Sequence, residues 1–209
     1  MQRTKGQQLI SGIIILVEII GLWYQNGLDR WYNITYYTTL SNLLVLGFFA
    51  YWLWRLAKEG SDQLFSHRLW RFKGAVTMAI LLTFFVYLIL LMPRATMEQI
   101  MRVENFALHM IAPVLVLVDW ALFDRKGQYP LLEPVYWTVL PLLYMVYALV
   151  RGYALRLPII PSKPDDYYPY FFMNIDKIGW QGFGRYFCMI LFVYLMLGYG
   201  LYGLKRAKS

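Results

Sequence analysis

Residues 74–92 read GAVTMAILLTFFVYLILLM, a run with no charge and no proline, broken in apolar character only by Gly74, Thr77 and Thr83. A helix needs ~20 such residues to cross ~30 Å of hydrocarbon. A run of this length therefore reads as a membrane span.

Five more runs flank it, at about 9–24, 38–57, 106–123, 135–150 and 186–204. The first and fifth are short, so their bordering tryptophans and tyrosines are expected in the interface. The first run follows Arg3 and Lys5 but has no small-x-small cleavage site and leads into Leu22, Trp23 and Tyr24. It reads as a retained helix and not a secretory signal. Composition agrees: 59% of the 209 residues are hydrophobic and only 15% charged, against about a quarter charged in soluble domains. The expectation is an all-α bundle of six transmembrane helices, one integral membrane domain over residues 1–209, in the cell membrane. No internal repeat or low-complexity tract stands out.

The net charge of +8 does not indicate a nucleic-acid partner, because the basic residues gather at the ends of the apolar runs. With the N-terminus inside, twelve of the twenty Lys and Arg fall on the inner side: Arg3, Lys5, Arg55, Lys58, Arg68, Arg71, Lys73, Arg125, Lys126, Lys205, Arg206 and Lys208. The positive-inside rule thus favours both termini in the cytoplasm. Residues 152–185 then form an outer loop. Pro158, Pro161, Pro164 and Pro169 make much of it irregular, and it could serve as a lid. Cys188 lies in an apolar run, unsuited to a thiolate.

Two polar clusters open helices. Thr38, Ser41 and Asn42 share one face of the second helix, being three and four residues apart. Thr35, Thr38 or Thr39 could cap that helix, and Ser41 and Asn42 could bind a neighbouring helix. The fourth helix opens with Glu104, Asn105 and His109, and Pro113 deprives the His109 carbonyl of its helical donor. An ionisable ring beside such a break is a functional candidate. Helices two and four both begin at the outer face, so Thr38 and His109 lie at similar depth. A hydroxyl beside an imidazole is the minimum apparatus for nucleophilic catalysis. Free N–H groups at the start of helix two could stabilise an oxyanion.

Asn105 and Asn42 are the candidate orienters of His109, since Asp119 lies about 15 Å further along its helix. Glu18, inside the first helix, reads either as a site carboxylate or as a neutral structural acid. Arg151 closes the fifth helix and could meet a substrate carboxylate or snorkel to headgroups. His67 sits in a basic inner loop. No metal or other cofactor is implied: the two histidines lie on opposite sides, and the glycines of 179–184 lack a phosphate-loop setting.

Thr38-x-x-Ser41-Asn42, Leu108-His109-x-x-x-Pro113 with Asp119-Trp120, Arg151-Gly152 and Tyr168-Pro169-Tyr170-Phe171-Phe172 follow one another in this order. The series resembles the androgen-induced-protein / androgen-dependent tissue-factor-regulating-protein family, most closely its bacterial branch. The resemblance implies six helices and hydrolysis of fatty acid esters of hydroxy fatty acids by a membrane threonine and a histidine. The threonine falls on Thr38, with Thr39 the adjacent competitor, and the histidine on His109. The partners implied are a lipid or fatty-acyl ester and the surrounding membrane lipids; no oligomeric state follows. The competing readings are a small proton-coupled transporter using Glu18 and His109, for which no inverted repeat is visible, and a non-catalytic membrane protein.

Overall fold

The computed structural model describes residues 2–27, 29–62 and 65–206; Lys208, counted above among the inner charges, lies outside them. Among the described residues there are no strands. Six helices are long and apolar enough to cross a membrane: α1 (Gln2–Asn26), α2 (Tyr37–Glu59), α3 (His67–Arg94), α4 (Val103–Phe123), α5 (Glu133–Ala154) and α6 (Ile175–Lys205). Helices α1, α3 and α5 run from the end that carries the two termini to the other end, and α2, α4 and α6 return.

Helix α1 shows why the bundle suits lipid and not water. Gln7, Ser11 and Glu18 face inward and are fully buried, while Leu9, Ile13, Leu16 and Ile20 are exposed. In water this arrangement would be inside out; in hydrocarbon the apolar face meets lipid and the polar side chains turn away from it. Helix α3 is the centre. Its Trp70, Val76 and Ile80 join Ile14, Phe49, Trp52 and Val116 in one core, Met78 and Leu81 meet Trp137 and Tyr194 in a second, and Leu90 meets Ala148 and Phe172 in a third. Close approach needs glycine at several points, Gly21 and Gly74 among them. A Cβ at Gly21 would stand 2.5 Å from the Leu108 side chain, and one at Gly74 2.7 Å from Trp137.

Four corrections to the sequence reading concern boundaries, the first being that α1 is not short but begins at Gln2 and runs 25 residues. Helix α3 starts at His67 because the Ser66 hydroxyl accepts the Leu69 N–H at 3.3 Å, which brings the basic stretch 68–73 into the helix. The loop expected over 152–185 is shorter at both ends. Helix α5 continues to Ala154, and α6 begins at Ile175, where the Asn174 side chain accepts the Lys177 N–H at 3.1 Å. Polar residues and glycines disguised that first segment of α6, which breaks at Gly179 (φ 67°, ψ 170°) before the helix resumes.

The end with the termini is tied by charge. Lys73, expected in a loop, is fully buried, its Nζ 2.5 Å from both Asp119 and Asp124 and beside the rings of Trp52 and Trp70. The Tyr129 hydroxyl donates to Asp124. Lys205 closes α6 onto α4 by donating to the carbonyls of Ala121 (2.8 Å) and Asp124 (2.9 Å).

The opposite end is loosened. Wide π-turns replace regular α-helix at Tyr87–Leu91 in α3, Ala107–Ile111 in α4 and Val150–Ala154 in α5. Such turns appear mostly as single insertions and frequently at functional sites.

Candidate active site

His109 sits in the middle of the second π-turn. Proline at 113 has no N–H to give the His109 carbonyl, and the chain answers by widening: Ala112 N–H donates to the Ala107 carbonyl, five residues back. The His109 Nδ1 is 3.2 Å from the Asn105 carbonyl oxygen. That oxygen can only accept, so Nδ1 carries the hydrogen and the neutral ring keeps a lone pair on Nε2. Nε2 is 3.2 Å from Thr38 Oγ1. Both residues are buried. Tyr87, from the first π-turn, stacks on the imidazole with ring centres 4.2 Å apart and planes 28° apart.

Thr38 is the second residue of α2, whose start is set by Tyr36 in extended conformation after the 3₁₀ turn Trp31–Thr35. No threonine side chain caps the helix. Ser41 and Asn42 hold the backbone of Thr38 instead. Asn42 Nδ2 donates to the Thr38 carbonyl at 2.7 Å, and the Ser41 hydroxyl donates to the same oxygen at 3.0 Å. The Thr83 hydroxyl, 2.8 Å from Ser41 Oγ, completes this chain across to α3. Thr39 is buried too, but its hydroxyl has no hydrogen-bond partner and does not meet His109.

Two orienting roles change. Asn105 holds His109 through its main-chain carbonyl, while its side chain donates to Gln99 O at 2.6 Å. Asn42 touches Thr38, not the ring. Arg151 also departs from expectation: its guanidinium donates to the carbonyls of Leu157 and Pro158, both at 2.7 Å, and so folds the loop that follows.

Tyr170, given no role by the sequence, is brought to the site by the loop between α5 and α6. Its hydroxyl oxygen accepts the Thr38 N–H at 3.3 Å, so that N–H is already engaged. The ring is held by parallel stacking on Phe172 (5.1 Å, 3°) and edge contact with Tyr36 (5.8 Å, 73°). Burial pushes the Tyr170 phenol above its ordinary range, keeping its proton in place. The aromatic run Tyr168–Phe172 was the visible signal for this residue, but no local rule says which ring turns back onto α2.

Thr38 and Tyr170 stand between two cavities. One, about 380 Å³, is polar and holds Arg30, Arg102, Glu104, Asn105 and His109 in its wall. The other, about 110 Å³, is apolar and lies among α3, α5 and α6, with Leu82, Val86, Leu142, Met145, Phe187 and Ile190 in its wall. Thr38 and Tyr170 line both. Among the described residues, no three His, Cys, Asp or Glu side chains gather where a metal could bind.

Glu18 lines neither cavity, and neither of its carboxyl oxygens has a hydrogen-bond partner. Glu18→Gln keeps the shape and removes the acid. The variant is expected to melt within about 2 °C of the wild type, since the side-chain volume is kept and no hydrogen bond or ion pair is lost. A folded Glu18→Gln protein that had lost its activity would return this residue to the site.

Compared with known proteins, the chain matches no family model, no curated protein and no solved structure.

Proposed function

We propose that this chain is a lipid-ester hydrolase of the cell membrane, with Thr38 as nucleophile and His109 as base. The observation that carries the reading is the 3.2 Å contact between Thr38 Oγ1 and His109 Nε2 at the junction of a polar and an apolar cavity. An amphiphilic ester fits such a junction, with its polar end among Arg30, Arg102 and Asn105 and its acyl chain among the apolar side chains.

The chemistry follows from the geometry. His109 Nε2 takes the hydroxyl proton as Oγ1 bonds to the ester carbonyl carbon, and the carbonyl electron pair moves onto oxygen. Collapse breaks the bond to the alcohol, which leaves with the proton held on Nε2. Water then attacks the threonyl ester, again giving its proton to Nε2, and the acid leaves with Thr38 restored. The Asn105 carbonyl holds Nδ1 throughout and so maintains the useful tautomer.

The resemblance to the androgen-induced-protein family supports the same chemistry and a fatty acid ester of a hydroxy fatty acid, or a similar lipid, as substrate. The carboxylate contact expected of Arg151 passes to Arg102, which lines the polar cavity. Purified protein in detergent is expected to release fatty acid from such an ester, and His109→Ala to slow release by about 10²–10⁴-fold, the usual share of a positioned base. A folded His109→Ala protein with the wild-type rate would refute the mechanism. The carrier reading has one observation in its favour, the unpartnered buried carboxyl of Glu18; transport lost in Glu18→Gln with no hydrolysis by the wild type would establish it.

The site is assigned to the outer face, with both termini cytoplasmic, on the distribution of Lys and Arg. In a Cys188→Ala background, Lys163→Cys should react with an impermeant maleimide on intact cells, and Lys126→Cys only after lysis. The reverse pattern would invert the orientation.

A further inference from the structure

Attack on an ester places a negative charge on the carbonyl oxygen, and an acyl-transfer site needs a donor aimed at it. Removing one such donor typically costs 10²–10³-fold in kcat. Around Thr38 most polar hydrogens are already spent. Asn42 Nδ2 and the Ser41 hydroxyl go to the Thr38 carbonyl, and the Thr38 N–H goes to Tyr170. We propose that the Tyr170 hydroxyl is a catalytic residue, the donor that stabilises the oxyanion formed on Thr38. The inference rests on the hydrolase reading.

Four features of Tyr170 carry it. Its oxygen is 3.3 Å from the Thr38 nitrogen, which is three bonds from Oγ1, so it lies within reach of an oxygen on a carbon newly bonded to Oγ1. It lines both cavities, where a scissile ester spanning them must pass. Because it accepts the Thr38 N–H, its own O–H is polarised and becomes a better donor. Stacking on Phe172 and the edge of Tyr36 fix the ring in advance, so little reorganisation accompanies charge development. In the step itself, the O–H stays bonded to Tyr170 and only its hydrogen bond shifts onto the oxyanion. When the alcohol leaves, the carbonyl re-forms and that bond weakens.

Tyr199 is an exposed phenol of α6 that lines neither cavity. It serves as the comparison. With a chromogenic fatty-acyl ester, Tyr170→Phe should lose about 10²-fold in kcat with KM within twofold, the signature of an interaction made only in the transition state. Tyr199→Phe should stay within a few-fold. Because Tyr170→Phe also removes the acceptor for Thr38 N–H, 3-fluorotyrosine at position 170 gives a second readout: a more acidic phenol should change kcat without changing the melting temperature. An active wild type whose rate is indifferent to both changes overturns the proposal and leaves the hydrolase reading standing. The same holds if only KM moves. A wild type inert to every ester overturns both.

Discussion

Thr38→Ala is expected to abolish labelling by a fluorophosphonate probe and to lower kcat/KM for a lipid ester by about 10³-fold or more, since it removes the hydroxyl held against His109 Nε2. The variant should remain folded. Alanine does not remove a helix cap, because Tyr36 begins α2 without a side-chain bond, and Ser41 and Asn42 bind the main-chain carbonyl of residue 38, which alanine keeps. Thr38→Ser is the sharper variant: it retains the oxygen 3.2 Å from His109 and loses one methyl, so it should keep measurable turnover. Thr39→Ala should be close to wild type, its hydroxyl having no partner. Folded Thr38→Ala protein that labels and turns over normally would end the hydrolase reading; loss confined to Thr39→Ala would move the nucleophile by one residue.

Lys73→Met is expected to be the most destabilising single change. It leaves Asp119 and Asp124 facing each other without their shared cation in a fully buried site. Removing one partner of a buried ion pair costs about 3–5 kcal/mol. At about 2–4 °C per kcal/mol for a chain of this size, the apparent Tm in detergent should fall by roughly ten degrees. Adding Asp119→Asn and Asp124→Asn should recover most of that loss, because the stranded charges disappear while acceptors remain for Tyr129 and Lys205. A Lys73→Met protein melting within two degrees of wild type would mean that the cluster is not a structural lock.

The spans were legible because hydrocarbon imposes a length and a polarity that any 19-residue apolar run reveals. Their ends were not. Arg68, Arg71 and Lys73 read as a solvated loop, yet the Ser66 cap starts the helix ahead of them, and the carboxylates that accept Lys73 lie 46 and 51 residues further on. The pairing of Thr38 with His109 could be inferred from two helices entering at the same face, and the structure brings these two side chains together. Tyr170 and Tyr87 could not be assigned in the same way. One arrives on a returning loop, the other on a widened turn, and neither path is written in local periodicity. Asn105 shows a subtler failure, since the sequence displays a side chain where the working group is the carbonyl of the main chain.

The three π-turns carry one further consequence, for helical phase. Each α-helical residue advances the helix face by about 100°, and a π-turn absorbs one extra residue without passing that rotation on. Helices α3, α4 and α5 each shift phase by one residue near the same end of the bundle. The packing faces below these turns and the site-facing residues at them therefore follow different frames, and a comparison that tracks helix faces would slip by one position in crossing each turn. Deleting a single residue within 107–111 would leave six apolar spans intact by composition. It would also merge the two frames of α4, removing the widened turn that carries His109 while the faces on either side of it keep their orientation.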